Sequence, residues 1–304
     1  MNWVYNFYAA IVLVVLSLIA LVYNEFGSNY PGNFYYFPAP LVIELNLLLF
    51  FIGFYILLGP TNKFTLRTKE FSIYIPLIAC IILATNAVQY TPFEPVDPYL
   101  LAFDKFFNID MHMLLQWTQN HPLLNTILET IYISLSYQIG WLPPLLIMMG
   151  YHKLIREHVF LMLVTSTIGF SIYYFFPSTA PASIIDSNLF NEMQKATGLK
   201  FYQLHHYIQP TTDEGGMISL PSFHIIWAWL CVYLIRNWPI ACSLLAMINI
   251  ILVISTILLG WHYVIDILGS LVTIVLGHGL YHYANTKSKP VEEFSLLTSC
   301  ERAT

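Results

Sequence analysis

The sequence predicts an all-α, polytopic helical membrane protein, and three observations carry that reading. Of its 304 residues, 57% are hydrophobic and only 10% charged, whereas about a quarter of a soluble chain is charged. The mean hydropathy is +0.64. The apolar residues also gather in runs of spanning length, without the two-residue alternation of a membrane barrel. In lipid, every backbone polar group must be satisfied inside a helix or a closed barrel, so such runs read as helices. A net charge of -5 offers no basic face for nucleic acid.

Taken in order, the runs fall at 7–23, 41–59, 71–89, 124–149, 159–176, 221–238, 240–259 and 262–283, giving about eight spans. If these alternate in direction, Lys63, Arg67, Lys69, Lys153, Arg156, Arg236, Lys287, Lys289 and Arg302 share one side. Only Lys105, Lys195 and Lys200 fall on the other, so the positive-inside rule places both termini in the cytoplasm. The first run lacks a basic flank and a small-residue cleavage site, and is expected to stay as a helix. Segments 25–40, 90–122 and 177–220 then lie outside and hold most of the polar residues, so the chemistry is expected there. Within the second of them, "PYLLAFDKFFNIDMHMLLQW" has the three-and-four spacing of an interfacial amphipathic helix. The expected organisation is N-terminal helices over 1–90, a catalytic core over 91–283 with that helix and the outer loop 177–220, and a cytoplasmic tail over 284–304. Cys80, Cys231 and Cys242 sit in spans and Cys300 in the tail, so no outer pair and no CxxC arises. The 21 Tyr, 21 Phe and seven Trp suffice for aromatic belts at both interfaces.

The chemistry-bearing residues enter from two separate spans. "SLPSFH" delivers Ser222 and His224 to the outer mouth of the sixth, and "STILLGWHYVIDILGS" brings His262 and Asp266 back to the same level. At i and i+4 the Asp266 carboxylate can accept from one imidazole nitrogen of His262, which fixes the tautomer and leaves a lone pair on the other. A nucleophilic or basic histidine needs that arrangement. His224 is the second titrating group, Ser222 a hydrogen-bond donor to an anion, and Pro221 holds a helix N-terminus open toward it. A phosphate fits that setting.

Other readings stand beside this one. A lone interfacial histidine is often a snorkelling residue, although an aspartate one turn below it inside a span is functional by default. A metal on His262, Asp266 and His224 would need a fourth ligand such as His206. His278 and His282 are also four apart, but about 24 Å further along the last helix from His262, outside the site. A transporter would use intramembrane Asp266 and Glu44, with Glu129 similarly placed. Against it, the sequence shows no inverted repeat and no matched pair of broken helices. Pro143 and Pro144 interrupt only the fourth span, as a local kink.

"PSFH" and "HYVID", with thirty-eight positions between their histidines, resemble the second and third signatures of the type 2 phosphatidic acid phosphatase superfamily, PSGH and SRxxxxxHxxxD. Thr256 replaces the arginine of the third signature, and "FFPSTAPA" from Phe175 is FPxxxP-like. Both features are similar to the inositolphosphorylceramide synthase and sphingomyelin synthase-like branch. The resemblance covers about 99–283 and leaves the first two helices as an addition to a six-helix lipid phosphatase or phosphotransferase core. It implies that His262 attacks phosphorus to give a phosphohistidine, that Asp266 orients it and that His224 protonates the leaving alcohol. It implies no cofactor.

The departures from the family pattern bear on the substrate. The first signature, KxxxxxxRP, would end at Phe176 and Pro177, and its lysine and arginine are missing; Phe223 replaces a glycine, and Trp261 stands where the synthases often carry another histidine. A site with few cations suits a singly charged phosphodiester better than a phosphomonoester with nearly two charges. Lys200 and His206, with Lys195 and His205, would restore charge if the outer loop folds over the site; otherwise they are solvated loop residues. The expected function is transfer between a lipid phosphoester donor and an alcohol or lipid acceptor at the periplasmic or luminal leaflet, with a lipid phosphate phosphatase as the alternative. No protein partner is evident.

Overall fold

The computed structural model describes residues 3–28, 38–212 and 219–301, with side chains left aside at 38–42 and 287–301. The described residues form α-helices, one 3-10 turn and no strand. Six helices are long and apolar enough to cross a membrane: α1 (Trp3–Phe26), α3 (Lys63–Gln89), α6 (Pro122–Met149), α7 (His152–Phe175), α10 (Pro239–Leu258) and the first part of α11 (Val264–Glu301). The other two expected spans are also helical, as α2 (Pro38–Leu58) and α9 (Phe223–Leu234). The protein is therefore an integral membrane protein of the expected all-α class, with eight apolar helices among the described residues.

One of the eight falls short of the length expected for it. α9 has 12 residues, about 18 Å at 1.5 Å per residue, against the roughly 30 Å of a hydrocarbon core. Ser222 stands at its N-cap and Ile235 at its C-cap, and the amide of Trp238 donates to Ile235 O at 3.0 Å in the turn that follows. Pro239 then opens α10 at the first helical position, which proline favours.

The single amphipathic helix expected over the second outer segment is two helices instead, α4 (Asp97–Phe106) and α5 (Met111–Gln119). Asn108 takes a left-handed φ of 57°. Around it Ile109 N donates to Asp104 O (2.9 Å) and Asn108 N to Lys105 O (3.0 Å), which is a Schellman stop. Asp110 then caps α5 by accepting from the amides of His112 (2.8 Å) and Met113 (3.2 Å). The residues "FNID" thus end one helix and start the next.

α7 is the axis of the bundle. Its apolar window is 67% buried, against 39% or less for the other spanning helices, and it packs on α1, α3, α6, α9 and α11. At its start Arg156 pairs with Glu70 of α3, to which the Trp3 indole also donates at 3.0 Å. Next to it Glu157 pairs with Arg236, just beyond α9. Lys63, Arg67, Lys69 and Lys153 belong to the same helix starts, so the described basic residues of the expected inner set share one end. The opposite end carries α4, α5, the 3-10 turn Pro181–Ser183 and α8 (Glu192–His205), together with the start of α9 and the turn between α10 and α11.

Candidate active site

Residues 256–262 place the histidine. α10 is capped at Leu259, and Gly260 follows with φ +75°, after which the amides of Trp261 and His262 both donate to Thr256 O, at 3.0 and 3.1 Å. Glycine is required there on two counts: the left-handed φ, and room, since a Cβ would come within 3.0 Å of Leu115 Cδ2 and 3.1 Å of Phe190 Cε1. Thr256, at the position of the signature arginine, is buried and donates its hydroxyl to Val253 O at 2.7 Å. It holds the turn through its carbonyl and brings no charge. Gly260→Ala is expected to cost about 1–2 kcal/mol of left-handed strain and to displace His262, read as a lower melting temperature in detergent together with a reduced kcat.

The start of α11 fixes the carboxylate. Val264 N lies 3.3 Å from both oxygens of Asp104, and Tyr263 N donates to Asp266 Oδ2 at 3.0 Å. Negative groups at a helix N-terminus are favoured by its partial positive charge. His262 Nδ1 lies 3.0 Å from the same Asp266 Oδ2, to which Ser219 Oγ donates at 3.2 Å. On the other side of the ring, Nε2 is 3.0 Å from Ser222 Oγ. With Nδ1 donating to the carboxylate, Nε2 accepts from the Ser222 hydroxyl, giving a continuous Ser222–His262–Asp266 relay. All four residues are buried, and among the described residues the buried Asp266 Oδ1 has no hydrogen-bond partner.

Ser222 sits at the N-cap of α9 yet makes no side-chain capping bond; its hydroxyl serves His262. Its carbonyl accepts from Ser270 Oγ at 3.1 Å, which ties the start of α9 to α11. The His224 ring centre lies 6.0 Å from that of His262 at a steep angle. His224 stacks on Tyr132 of α6 (4.3 Å), and Tyr132 stacks in turn on Trp261 (5.3 Å). The four residues singled out on the two sixth- and eighth-span segments, Ser222, His224, His262 and Asp266, therefore meet in one cluster.

The charged residues of the outer loop are distributed differently. Lys200 is buried within α8. His206 is exposed, its Nδ1 2.7 Å from Tyr202 O and its ring stacked on Tyr202 at 4.0 Å. Lys195 pairs at the surface with Glu192, at 3.1 Å. His205 is pushed down to about 4 by burial, with neighbouring His206 adding to the effect. His278 accepts from the Trp229 indole at 2.9 Å, toward the far end of α9. Among the described residues no group of three His, Cys, Asp or Glu is arranged to hold a metal.

Several members of the cluster's surroundings were not singled out from the sequence: Ser219, Tyr132, Tyr263, and the carboxylates of α4. Asp97 is fully buried and accepts from Thr179 N (2.8 and 3.0 Å), Ser178 Oγ (3.3 Å) and the Tyr263 hydroxyl (3.1 Å). It joins the end of α7 to the residue after His262. Burial pushes both Asp97 and Asp104 up to about 6, and the negative charge of Asp266 adds to each. Asp97→Ala orphans the buried Thr179 amide and Tyr263 hydroxyl at about 1–3 kcal/mol each. A clearly lower melting temperature in detergent is the expected result. The sequence did carry a signal here, since Asp97, Leu100 and Asp104 are three and four apart and all face inward. Acidic residues on the apolar face of a short helix need buried partners.

A family profile described as the PAP2 superfamily matches residues 98–280. The chain belongs to the PAP2 superfamily. The match begins within α4 and runs into α11, so it includes both histidines, Asp266 and α8, and leaves α1, α2 and α3 outside. Membership supports a lipid-acting membrane enzyme of the phosphatase or phosphotransferase type. No curated protein and no solved structure matches the chain.

Proposed function

We propose that this PAP2 superfamily member is a lipid phosphotransferase of the inositolphosphorylceramide synthase and sphingomyelin synthase-like kind, acting through a phosphohistidine on His262. The observation that carries the reading is the clamp on that ring: Nδ1 held by Asp266 at 3.0 Å and Nε2 3.0 Å from Ser222 Oγ, with the His224 ring centre 6.0 Å from that of His262. In the first step the Nε2 lone pair forms a bond to phosphorus as the bond to the leaving alcohol breaks, and His224 gives that oxygen its proton. In the second, an acceptor hydroxyl attacks phosphorus, the P–N bond breaks, and the acceptor's proton passes to His224. Asp266 stabilises the positive ring in between. Ser222 swings from Nε2 to a phosphate oxygen, beside the first turn of α9, whose amides face the anion.

Transfer is favoured over hydrolysis because the positions of the phosphatase cations hold Phe176 and Thr256, and a site poor in cations suits a diester. Lys200 and His206 enter as supplementary charge for the phosphate, resting on their place in the loop rather than on a contact. The periplasmic or luminal side is assigned to the cluster because the basic residues gather at the other end.

Lipid mass spectrometry tests the reading, using labelled phospholipid donors with and without ceramide, diacylglycerol and inositol. A new headgroup-bearing lipid made by wild type and not by His262→Ala supports transfer. Dephosphorylated lipid with free phosphate alone replaces it with the phosphatase reading. EDTA is expected to leave the rate unchanged, because the chemistry runs on the imidazole and needs no Lewis acid; inhibition reversed by added zinc would sink the metal-free mechanism.

A further inference from the structure

A cavity of about 420 Å³ lies between α1, α3 and α7, within the roughly 300–1,000 Å³ of ordinary ligand sites. Its walls are almost wholly hydrocarbon, including Leu13, Ala84, Val88 and Phe170. The serine and threonine hydroxyls that line it are turned back on their own helices: Ser17 donates to Leu13 O (2.7 Å), Thr167 to Leu163 O (2.9 Å) and Ser171 to Thr167 O (2.7 Å). The Tyr174 hydroxyl donates to Asn24 Oδ1 at 3.3 Å. A polar ligand would find these donors already engaged, so the site takes an apolar one.

The dimensions narrow the class. Along α1 the lining runs from Leu13 to Tyr23, about 15 Å at 1.5 Å per residue, which is half of the roughly 30 Å hydrocarbon core. The cavity is one leaflet deep. Its mouth, at Tyr23, Phe93 and Phe175, is at the helix ends that the catalytic cluster occupies, and its flank on α1 includes the exposed Leu16 and Ile19. An aromatic contact links its wall to the start of α9. Phe170 packs at 4.8 Å on Phe223, the residue between Ser222 and His224. Beside it Gly169 lets α7 approach so closely that a Cβ would lie 2.7 Å from Phe223 Cζ and 3.1 Å from Pro221 Cγ.

We propose that this cavity seats one hydrocarbon tail of the phosphoester lipid whose headgroup meets His262, an assignment that rests on the phosphotransferase reading above. Moving a tail from the bilayer into the cavity gains little hydrophobic energy, because the bilayer is as apolar as the walls. What the cavity supplies is shape: close contact along a tail of matching length, which a short or bulky tail does not make. It therefore sets which tails are accepted and holds the headgroup in register with the histidine.

The test uses the full-length protein in phosphatidylcholine nanodiscs doped with a phosphatidylcholine that carries a diazirine on its tail, irradiated and mapped by peptide mass spectrometry. The expected adducts concentrate on residues 13–23 and 167–175, and are lost in Ala20→Phe. Ser171→Leu fills the same space from a half-buried position and is expected to lose them too, which guards against misfolding of the first variant. Both variants are expected to raise KM for a long-tailed donor and to leave turnover of a short-tailed, detergent-soluble donor unchanged. Adducts spread evenly over lipid-facing helices, or persisting in both variants, overturn the assignment. So does loss of the adducts with long-tail kinetics equal to wild type, since the lipid in the cavity is then not the substrate. If wild type turns over no lipid phosphoester, the phosphotransferase reading fails instead, and the adduct map still decides whether the cavity holds a tail.

Discussion

His262→Ala is expected to abolish lipid turnover, by about 10⁴-fold or more on the scale seen when a nucleophile is removed from a histidine–carboxylate relay, while the protein still inserts and elutes as a folded species. Among the described residues of the cluster, His262 alone has a ring nitrogen backed by a carboxylate: Nδ1 is held at 3.0 Å by Asp266, and Nε2 lies 3.0 Å from Ser222 Oγ at the N-cap of α9. Asp266→Asn is expected to be milder than His262→Ala yet still severe. An asparagine oxygen at the Oδ2 position can accept from the His262 ring, Tyr263 N and Ser219 Oγ as the carboxylate does. What it lacks is the charge that stabilises the ring once phosphorus is attached. The opposite amide orientation is worse, because its NH₂ meets the ring and forces the proton onto Nε2, removing the lone pair. The readout is the initial rate on a labelled phospholipid, with melting temperature as the folding control. A His262→Ala protein with the wild-type rate would end the proposal.

Sequence patterns of short range were legible and those requiring the third dimension were not. The i, i+4 pair of His262 and Asp266 needed only a helix to become a hydrogen bond, although α11 begins at Val264 and His262 hangs just before it, held by Thr256 O. Gly260 was the readable part of that turn. The meeting of Ser222 with His262 followed from alternation of spans, because two crossings, α9 and α10, separate them and an even number returns the chain to the same side. Ser219 and Tyr132 carried no such signal. A serine beside a leucine and a tyrosine among 21 have many uses, and only packing of α6 against α9 makes Tyr132 the platform for His224. The amphipathic segment was misread as one helix because apolar spacing continues through "FNID", while Asn108 and Asp110 rewrite the backbone locally.

The buried carboxylates show how the fold supports the site from outside it. Asp97 grips the start of the loop after α7 and the Tyr263 ring, and Asp104 accepts from the first amide of α11. His262 is thus held from both directions along the chain: Thr256 O before it, and Tyr263 anchored by Asp97 and Asp266 after it. Such bracketing lowers the freedom of a loop residue that, in the proposed mechanism, presents one nitrogen to a phosphorus within fractions of an ångström.

In the proposed covalent mechanism, Ser222→Ala tells which atom carries the phosphorus. The distances of 3.0 Å from Ser222 Oγ to His262 Nε2 and 3.0 Å from Nδ1 to Asp266 are also those of a serine nucleophile with a histidine base. The two mechanisms predict different proteins after the same substitution. With histidine as nucleophile, the hydroxyl leaves Nε2 when the substrate enters and donates to a phosphate oxygen as charge develops there. Its loss then costs on the order of 10²–10³ in kcat, the scale of one transition-state donor, and changes KM little. The trapped adduct persists on His262 and is acid-labile and alkali-stable, as a phosphorus–nitrogen bond is. With serine as nucleophile, the adduct is an acid-stable ester and disappears in Ser222→Ala together with all turnover. The partial loss with a surviving acid-labile adduct is the expected result, because Ser222 sits fully buried at a helix N-cap, where its oxygen is placed to donate beside the α9 amides. An acid-stable adduct on wild type that Ser222→Ala eliminates would move the covalent bond from His262 to Ser222 and leave the histidine as its base.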